Sequence, residues 1–356
     1  MTPTLPAPDG IPHPDPRESP SGDPEFRNSL ETHIFPFTYE GEARALRGYL
    51  LERYRHGRDA AWAESFYPAR VRLNGERVDA ATGVRPGDRV TYLHRRDEEP
   101  PAPPPPAVLH EDPHLLALLK SDNVPVNPSG IYYFTCLAIS AREHFEDPGL
   151  TPLHRLDLET SGPVLFGRQR KHLGRWHKLF MGGGLQKRYK ALVYGAFPED
   201  LKEIAGWIVP DPRSAIHTRL RLLLSAGDDG PAPEEAGDRQ LSLTRIHRVR
   251  HVDLGPGGLV TELEVEPVTG KTNQIRVALA HVGHPIVGDK KYHRDEGVFL
   301  DWIEHRDFER LRGELRLPRQ ALHCASLAFD HPFTGEPVRI QAPEDAWAAK
   351  VGELTG

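Results

Sequence analysis

Cysteine is almost missing from this chain: Cys136 and Cys324 are the only two among 356 residues. Two distant thiols exclude a disulfide framework and a cysteine-based zinc site, and they fit a reducing, cytoplasmic setting. No apolar run approaches 18 residues, so no segment reads as a membrane span. The polar, acidic, Pro-rich N-terminus has none of the features of a signal peptide. No phosphate loop, dinucleotide fingerprint, metal-ligand set or nucleophilic triad is legible, so neither a cofactor nor a metal is expected. Positive charge is short as well. The net charge of −6, taken alone, argues mildly against a polyanionic partner, because phosphate contacts need Lys and Arg.

The distribution of charge reverses that impression. Between Glu159 and Glu199 there is no acidic residue, while Arg168, Arg170, Lys171, Arg175, Lys178, Lys187, Arg188 and Lys190 fall inside the window. A basic run is often only a solvated face. Here it follows directly on the stretch Thr151–Gly162, which places one carboxylate, Asp157, between a basic pair and a Thr-Ser-Gly turn ahead of an apolar strand. An Asp beside an Arg is most often a surface ion pair worth about 0–1 kcal/mol. A loop held by a rigid sheet is also where reactive side chains sit.

Proline is about twice its usual share, with 35 residues gathered in the N-terminal tail and near residue 100. This composition divides the chain into a disordered tail over 1–28, a small domain over 29–96, a Pro-rich linker over 97–107, a large domain over 108–345 and a C-terminal tail over 346–356. In the small domain, Ala45, Leu46, Tyr49, Leu50 and Tyr54 recur at helical spacing, and a second short helix is expected over 60–66. Asn74-Gly75 predicts a hairpin turn, and Pro86-Gly87-Asp88 another turn. In the large domain, Leu115–Lys120 predicts a buried strand, 170–180 a basic helix ended by Gly182-Gly183-Gly184, and 187–195 a strand. Residues 226–239 read as an acidic loop. Leu241–Val252 and Leu259–Val265 read as antiparallel neighbours, and a helix carries Ile275, Leu279 and Val282 on one stripe.

The string His154-Arg155-Leu156-Asp157-Leu158-Glu159-Thr160-Ser161-Gly162 resembles, without substitution, the signature of the RluA-like pseudouridine synthases. Three further segments are similar to that family in order. Lys187–Gly195 matches its Lys-x-Tyr-x-Ala-x-Val-x-Gly strand. Thr269–Tyr292 matches Thr-Gly-Arg-Thr-His-Gln-Ile-Arg through Gly-His-Pro-Ile-x-Gly-Asp. Arg319–Pro337 matches its C-terminal strand and turn. The chain departs from the pattern at Ser121, Asp122 and Asn127, where the family has Lys-Pro-Ala/Ser-Gly and a His before Pro-Ser, and at Lys271 and Asn273, where it has Arg and His. The small domain, two helices and a hairpin, resembles an S4 RNA-binding domain.

The resemblance implies an α+β fold with a mixed, largely antiparallel central sheet flanked by helices and loops. It implies isomerisation of uridine to pseudouridine in RNA, ribosomal RNA by default and transfer RNA as the other option, by a monomer. Asp157 would be the catalytic carboxylate, attacking or stabilising the sugar carbon or removing a proton. Arg276 would supply its counter-charge, Tyr189 would lie against the uracil, and Arg155 would fill the space left by a flipped base. Glu159 falls at an unconstrained position and receives no role, and His154 shapes the loop. A non-catalytic RNA-binding or ribosome-assembly protein and a nucleoside hydrolase are the alternatives.

Overall fold

The structure, a computed structural model, describes residues 29, 31–53, 70–79, 81–129, 132–224, 240–253 and 258–355. The expected tail over 1–28, second helix over 60–66 and acidic loop over 226–239 lie outside them. The chain forms two compact units. One takes the residues up to Ala102 together with Pro128–Thr135, and the other takes Pro103–Asn127 and the residues from Cys136 onward.

In the N-terminal unit, strands β1 (Thr32–Thr38), β2 (Arg44–Ala45), β3 (Val71–Leu73), β4 (Glu76–Arg77), β5 (Gly83–Val84) and β6 (Arg89–Arg95) accompany one described helix, α1 (Leu46–Arg53). The sheet order is β1-β6-β3-β4, with β2 and β5 paired separately. Asn74 and Gly75 both have positive φ, at 52° and 89°. That matches the right-handed twist of β3 and β4 and explains why Asn-Gly makes this turn. Asn74 also accepts the Arg89 N–H at 2.8 Å. Tyr39, Leu46, Leu50, Val71, Val78, Val84 and Val90 form the core.

Glu99, within the tract read as linker, is buried. Its carboxylate accepts the N–H groups of Tyr133, Phe134 and Thr135, each at 2.8 Å, and the Thr135 hydroxyl at 2.6 Å. His94 Nε2 lies 2.7 Å away. Burial pushes the carboxyl up, but hydrogen bonds from His94, Thr135 and the backbone of Phe134 and Thr135 outweigh it and bring it to about 2. Its folded value is therefore depressed below the ordinary 4.5. The stability it contributes is present above that ordinary value and is lost as pH falls through about 2. Amide-exchange protection at 133–135 is expected to weaken across that window. Glu99→Gln is expected to remove the pH dependence, and a variant that keeps the wild-type profile would contradict this assignment.

The second unit contains β7 (Val108–Glu111), β8 (Leu115–Lys120), α2 (Leu137–His144), β9 (Thr151–Pro152), β10 (Gly162–Gly167), α3 (Leu173–Met181), β11 (Gln186–Tyr194), β12 (Glu203–Pro210), β13 (Leu220–Leu223), β14 (Gln240–Asp253) and β15 (Leu259–Pro267). It continues through α4 (Gln274–His281), α5 (Gly297–His305), α6 (Phe308–Leu315), β16 (Leu322–Asp330), β17 (Pro337–Gln341) and α7 (Glu344–Thr355). One sheet has the order β7-β8-β10-β9 and the other β13-β12-β14-β15-β11-β16-β17. The expected mixed, largely antiparallel sheet is present, built as these two sheets. Every ladder among the described residues is antiparallel. The parallel element is one isolated bridge, Ser161 to His323, which joins the two sheets beside the signature.

β8 and β10 are buried along almost their whole length. This is why they read as continuous apolar runs instead of alternating ones. β16 does not end its sheet, because β17 pairs outside it. Residues 346–355, expected as a tail, are helical, and Trp347 is buried.

Candidate active site

Residues 153–161 connect β9 to β10 and are held from three sides. From β8, the fully buried Lys120 ammonium donates to the carbonyls of Ser121, Leu158 and Thr160 at 2.8, 2.9 and 2.6 Å. Three N–H donors meet three carbonyls, so the buried cation is satisfied. From the opposite side, Glu159 accepts Lys290 Nζ at 2.5 Å and the Gln320 N–H at 2.9 Å. Gln320 in turn donates to the Thr160 hydroxyl at 2.7 Å. From β16, His323 meets the Ser161 hydroxyl at 2.8 Å, and Cys324 N–H donates to the Ser161 carbonyl. Gly162 closes the turn at φ +126°; a Cβ there would lie 2.3 Å from the Cys324 carbonyl oxygen. Only glycine lets the two sheets approach this closely.

His154 Nε2 accepts the Leu165 N–H at 3.2 Å. Burial and the nearby Lys187 push its pKa well below the ordinary value. It is therefore a neutral acceptor that pins the loop to β10. Lys120→Met is expected to free the carbonyls of Leu158 and Thr160 and loosen the loop. Because a misplacement of about 1 Å costs on the order of a hundredfold in rate, kcat is expected to fall by about that factor in single-turnover kinetics.

Asp157 Oδ2 accepts Arg276 Nη1 at 2.7 Å. Arg276 sits in the first turn of α4 and is fixed from behind by Asp289, which takes its Nε at 2.7 Å and Nη2 at 2.9 Å. The Tyr292 ring lies 4.9 Å from the guanidinium carbon. Asn273 Oδ1 accepts Nη1 at 3.2 Å, while Asn273 Nδ2 donates to the Tyr292 hydroxyl at 3.1 Å. This bidentate hold leaves one edge of a planar cation aimed at Asp157. Burial pushes the Asp289 carboxyl up, but Arg276, the Tyr292 N–H and Lys290 outweigh it and hold it below the usual carboxylate range. Gly288 presents Asp289 at φ +77°, where a Cβ would lie 2.0 Å from the Arg319 carbonyl oxygen. Lys291, next to this cluster, is brought down to about 8 by burial and by Arg276, against Asp157 and Asp289.

Tyr189 is buried on β11 between Val265 and Cys324, just after a bulge at Arg188. Burial, Cys324 and Asp157 raise its hydroxyl well above the ordinary value, so it is a neutral phenol. The structure thus pairs Asp157 with Arg276 directly and sets Tyr189 within electrostatic reach of the carboxylate. Arg155 stands apart, exposed at the surface. Sequence reading missed the roles of Asp289, Asn273, Lys120 and Glu159. Asp289 carried a signal, since it follows Gly288 in a quoted motif, but its partner is 13 residues away.

The sequence departures also find places. Asn123 adopts φ +58°, so Asn, tolerant of the left-handed region, replaces the family's Gly there. Asp122 forms an ion pair with Arg319. Asn273 caps α4 at φ +53°, a conformation open to His as well as Asn.

Residues 114–281 match the RNA pseudouridylate synthase family, and the chain belongs to that family. It is 30% identical over 289 residues to ribosomal large subunit pseudouridine synthase C of Escherichia coli, covering 77% of this chain and 81% of that protein. It is 32% identical over 225 residues to RNA pseudouridine synthase 7 of Arabidopsis thaliana, covering 63% of this chain and 54% of the plant protein. The solved structure of human RNA pseudouridylate synthase domain containing 1 shares the fold, with a TM-score of 0.53 at 24% identity over 69% of this chain and 86% of that one. The chain is accordingly an enzyme that isomerises uridine to pseudouridine in RNA. Among the described residues, no helix is long and apolar enough to cross a membrane.

Proposed function

We propose that the substrate is large-subunit ribosomal RNA and that Asp157 is the reacting carboxylate. One observation carries this reading: Asp157 is the carboxylate aimed by Arg276, which Asp289 holds from behind. The signature surrounds it without substitution. Its similarity to the E. coli large-subunit enzyme supports the choice of RNA.

In the reaction, the bond between uracil N1 and C1′ breaks and the base turns. A bond forms from C5 to C1′, the C5 proton leaves, and N1 gains a proton, so atoms balance with nothing added. Asp157 engages the sugar, either at C1′ or by taking a sugar proton. Tyr189 packs against the uracil with its hydroxyl protonated. Arg155, exposed two residues before Asp157, occupies the stack vacated by the flipped base. The N-terminal unit serves as an S4-like RNA-binding module, and the enzyme acts as a cytoplasmic monomer.

The test is tritium release from C5-labelled transcripts of large-subunit ribosomal RNA and of transfer RNA, with products mapped. Pseudouridine in the ribosomal transcript supports the proposal. Modification of transfer RNA alone overturns the substrate, and free uracil overturns the isomerase chemistry.

A further inference from the structure

Away from the Asp157 loop, α3 ends in a layered cluster of rings and cations. His114 stacks on Phe333 with centroids 4.2 Å apart and planes 8° from parallel. His172 lies 4.7 Å from the same ring, and its Nδ1 is 3.3 Å from His114 Nδ1. The exposed Arg175 guanidinium sits over Phe333 at 4.9 Å. The cluster has a rigid floor. Trp176 is fully buried 5.9 Å from Phe333. His331 accepts the N–H groups of Phe333 and Thr334 at 3.3 and 3.2 Å, which fixes the turn that presents Phe333.

The charges here differ from those around them. Arg168 is paired with Glu111 at 2.6 Å and with Asp147 at 3.8 Å. Arg170, Lys171, Arg175 and Lys178 have no carboxylate within ion-pair range among the described residues. Uncompensated cations beside a planar stack match the two chemistries of a single-stranded nucleotide, phosphate and base. The other end of α3 reaches the catalytic loop, where Phe180 meets His154 edge-on at 6.3 Å. Phe180 and His172 are eight residues apart, roughly 12 Å along the helix at about 1.5 Å per residue. A strand whose uridine enters the site beside Asp157 crosses that distance in a few nucleotides.

We propose that Arg175, Phe333, His114 and His172 form a second RNA subsite, which stacks an unpaired base flanking the target uridine while Arg170, Lys171 and Lys178 hold its phosphates. This rests on the reading that RNA is the substrate and goes beyond it in naming where a flanking nucleotide sits. Arg175 is the discriminating residue. A guanidinium offers a flat face to a base, which the point charge of Lys does not.

The test is equilibrium binding of the full chain to a fluorescein-labelled oligouridine and to the same backbone carrying abasic residues. Arg175→Ala is expected to weaken oligouridine binding on the order of tenfold, the size of one lost stacking contact, with much less effect on the abasic strand. Phe333→Leu, which keeps the turn packed, is expected to do the same, and Arg175→Lys to leave the loss unrepaired. Unchanged binding in both Arg175→Ala and Phe333→Leu, equal losses on the two strands, or full recovery with Lys would overturn the subsite. Binding is read without turnover. A chain that binds this way yet makes no pseudouridine refutes the proposed reaction and leaves the subsite standing.

Discussion

Asp157→Asn is expected to abolish pseudouridine formation while the protein keeps its fold and its RNA binding. The expected loss is about four orders of magnitude in the single-turnover rate, equivalent to about 5.4 kcal/mol of barrier. The fold survives for a geometric reason. Arg276 keeps both hydrogen bonds to Asp289, so it is not stranded when Asp157 loses its charge. The amide oxygen of Asn is placed to accept the Arg276 Nη1 hydrogen that Asp157 accepts at 2.7 Å. The melting temperature is therefore expected to shift by the equivalent of about 1 kcal/mol or less. The measurement is tritium release from C5-labelled RNA together with thermal unfolding on the same preparation. A rate within tenfold of wild type would sink Asp157 as the reacting group. A rate loss accompanied by unfolding would show instead that the loop itself had failed.

Asp289→Leu and Arg276→Leu are each expected to cost roughly 3–5 kcal/mol of stability, because Arg276→Leu strands the buried Asp289 and Asp289→Leu removes two of the three carboxylate hydrogen bonds that hold the buried Arg276. Asp289 is 1% exposed, so a charge left there without Arg276 is cut off from bulk solvent. The double variant is the informative one. Removing both charges at once leaves only the part-exposed Asp157 without its counter-charge, so stability is expected to recover partway toward wild type, with losses far from additive. Its activity is not expected to recover, because Asp157 then has no guanidinium to orient it. Thermal unfolding and single-turnover kinetics on the three variants separate the two roles. Additive stability losses would mean that Asp289 and Arg276 act independently, contrary to the bidentate geometry. Recovered activity would mean that Arg276 serves only the fold.

How far the sequence carries depends on how local each feature is. The buried strand ending in Lys120, the Asn74-Gly75 turn, the helix ending at Gly182-Gly183 and the left-to-right order of the motifs were all legible. Each is set by neighbours within a few residues: apolar period, turn propensity or a glycine where φ must be positive. Glu159 shows the limit. Its place in the signature suggested nothing. In the folded chain it joins the catalytic loop to Lys290 and Gln320, 131 and 161 residues away. The division of the sheet into two was also hidden, because a strand's apolar pattern states which face is buried and not which strand lies beside it.

Asp157 itself spans both kinds of knowledge. Sequence alone determined that a carboxylate sits in a tight polar turn, next to an acid-free basic block. It also determined, by resemblance, which Arg and Tyr to look for. Tertiary structure decided how the carboxylate is aimed. Arg276 arrives 119 residues later in the chain, and Asp289 turns a flexible side chain into a fixed donor. Lys120, buried in an adjacent strand, holds the carbonyls of the loop. Long-range hydrogen bonds have no local sequence pattern, because nothing along the chain records which distant atoms they join.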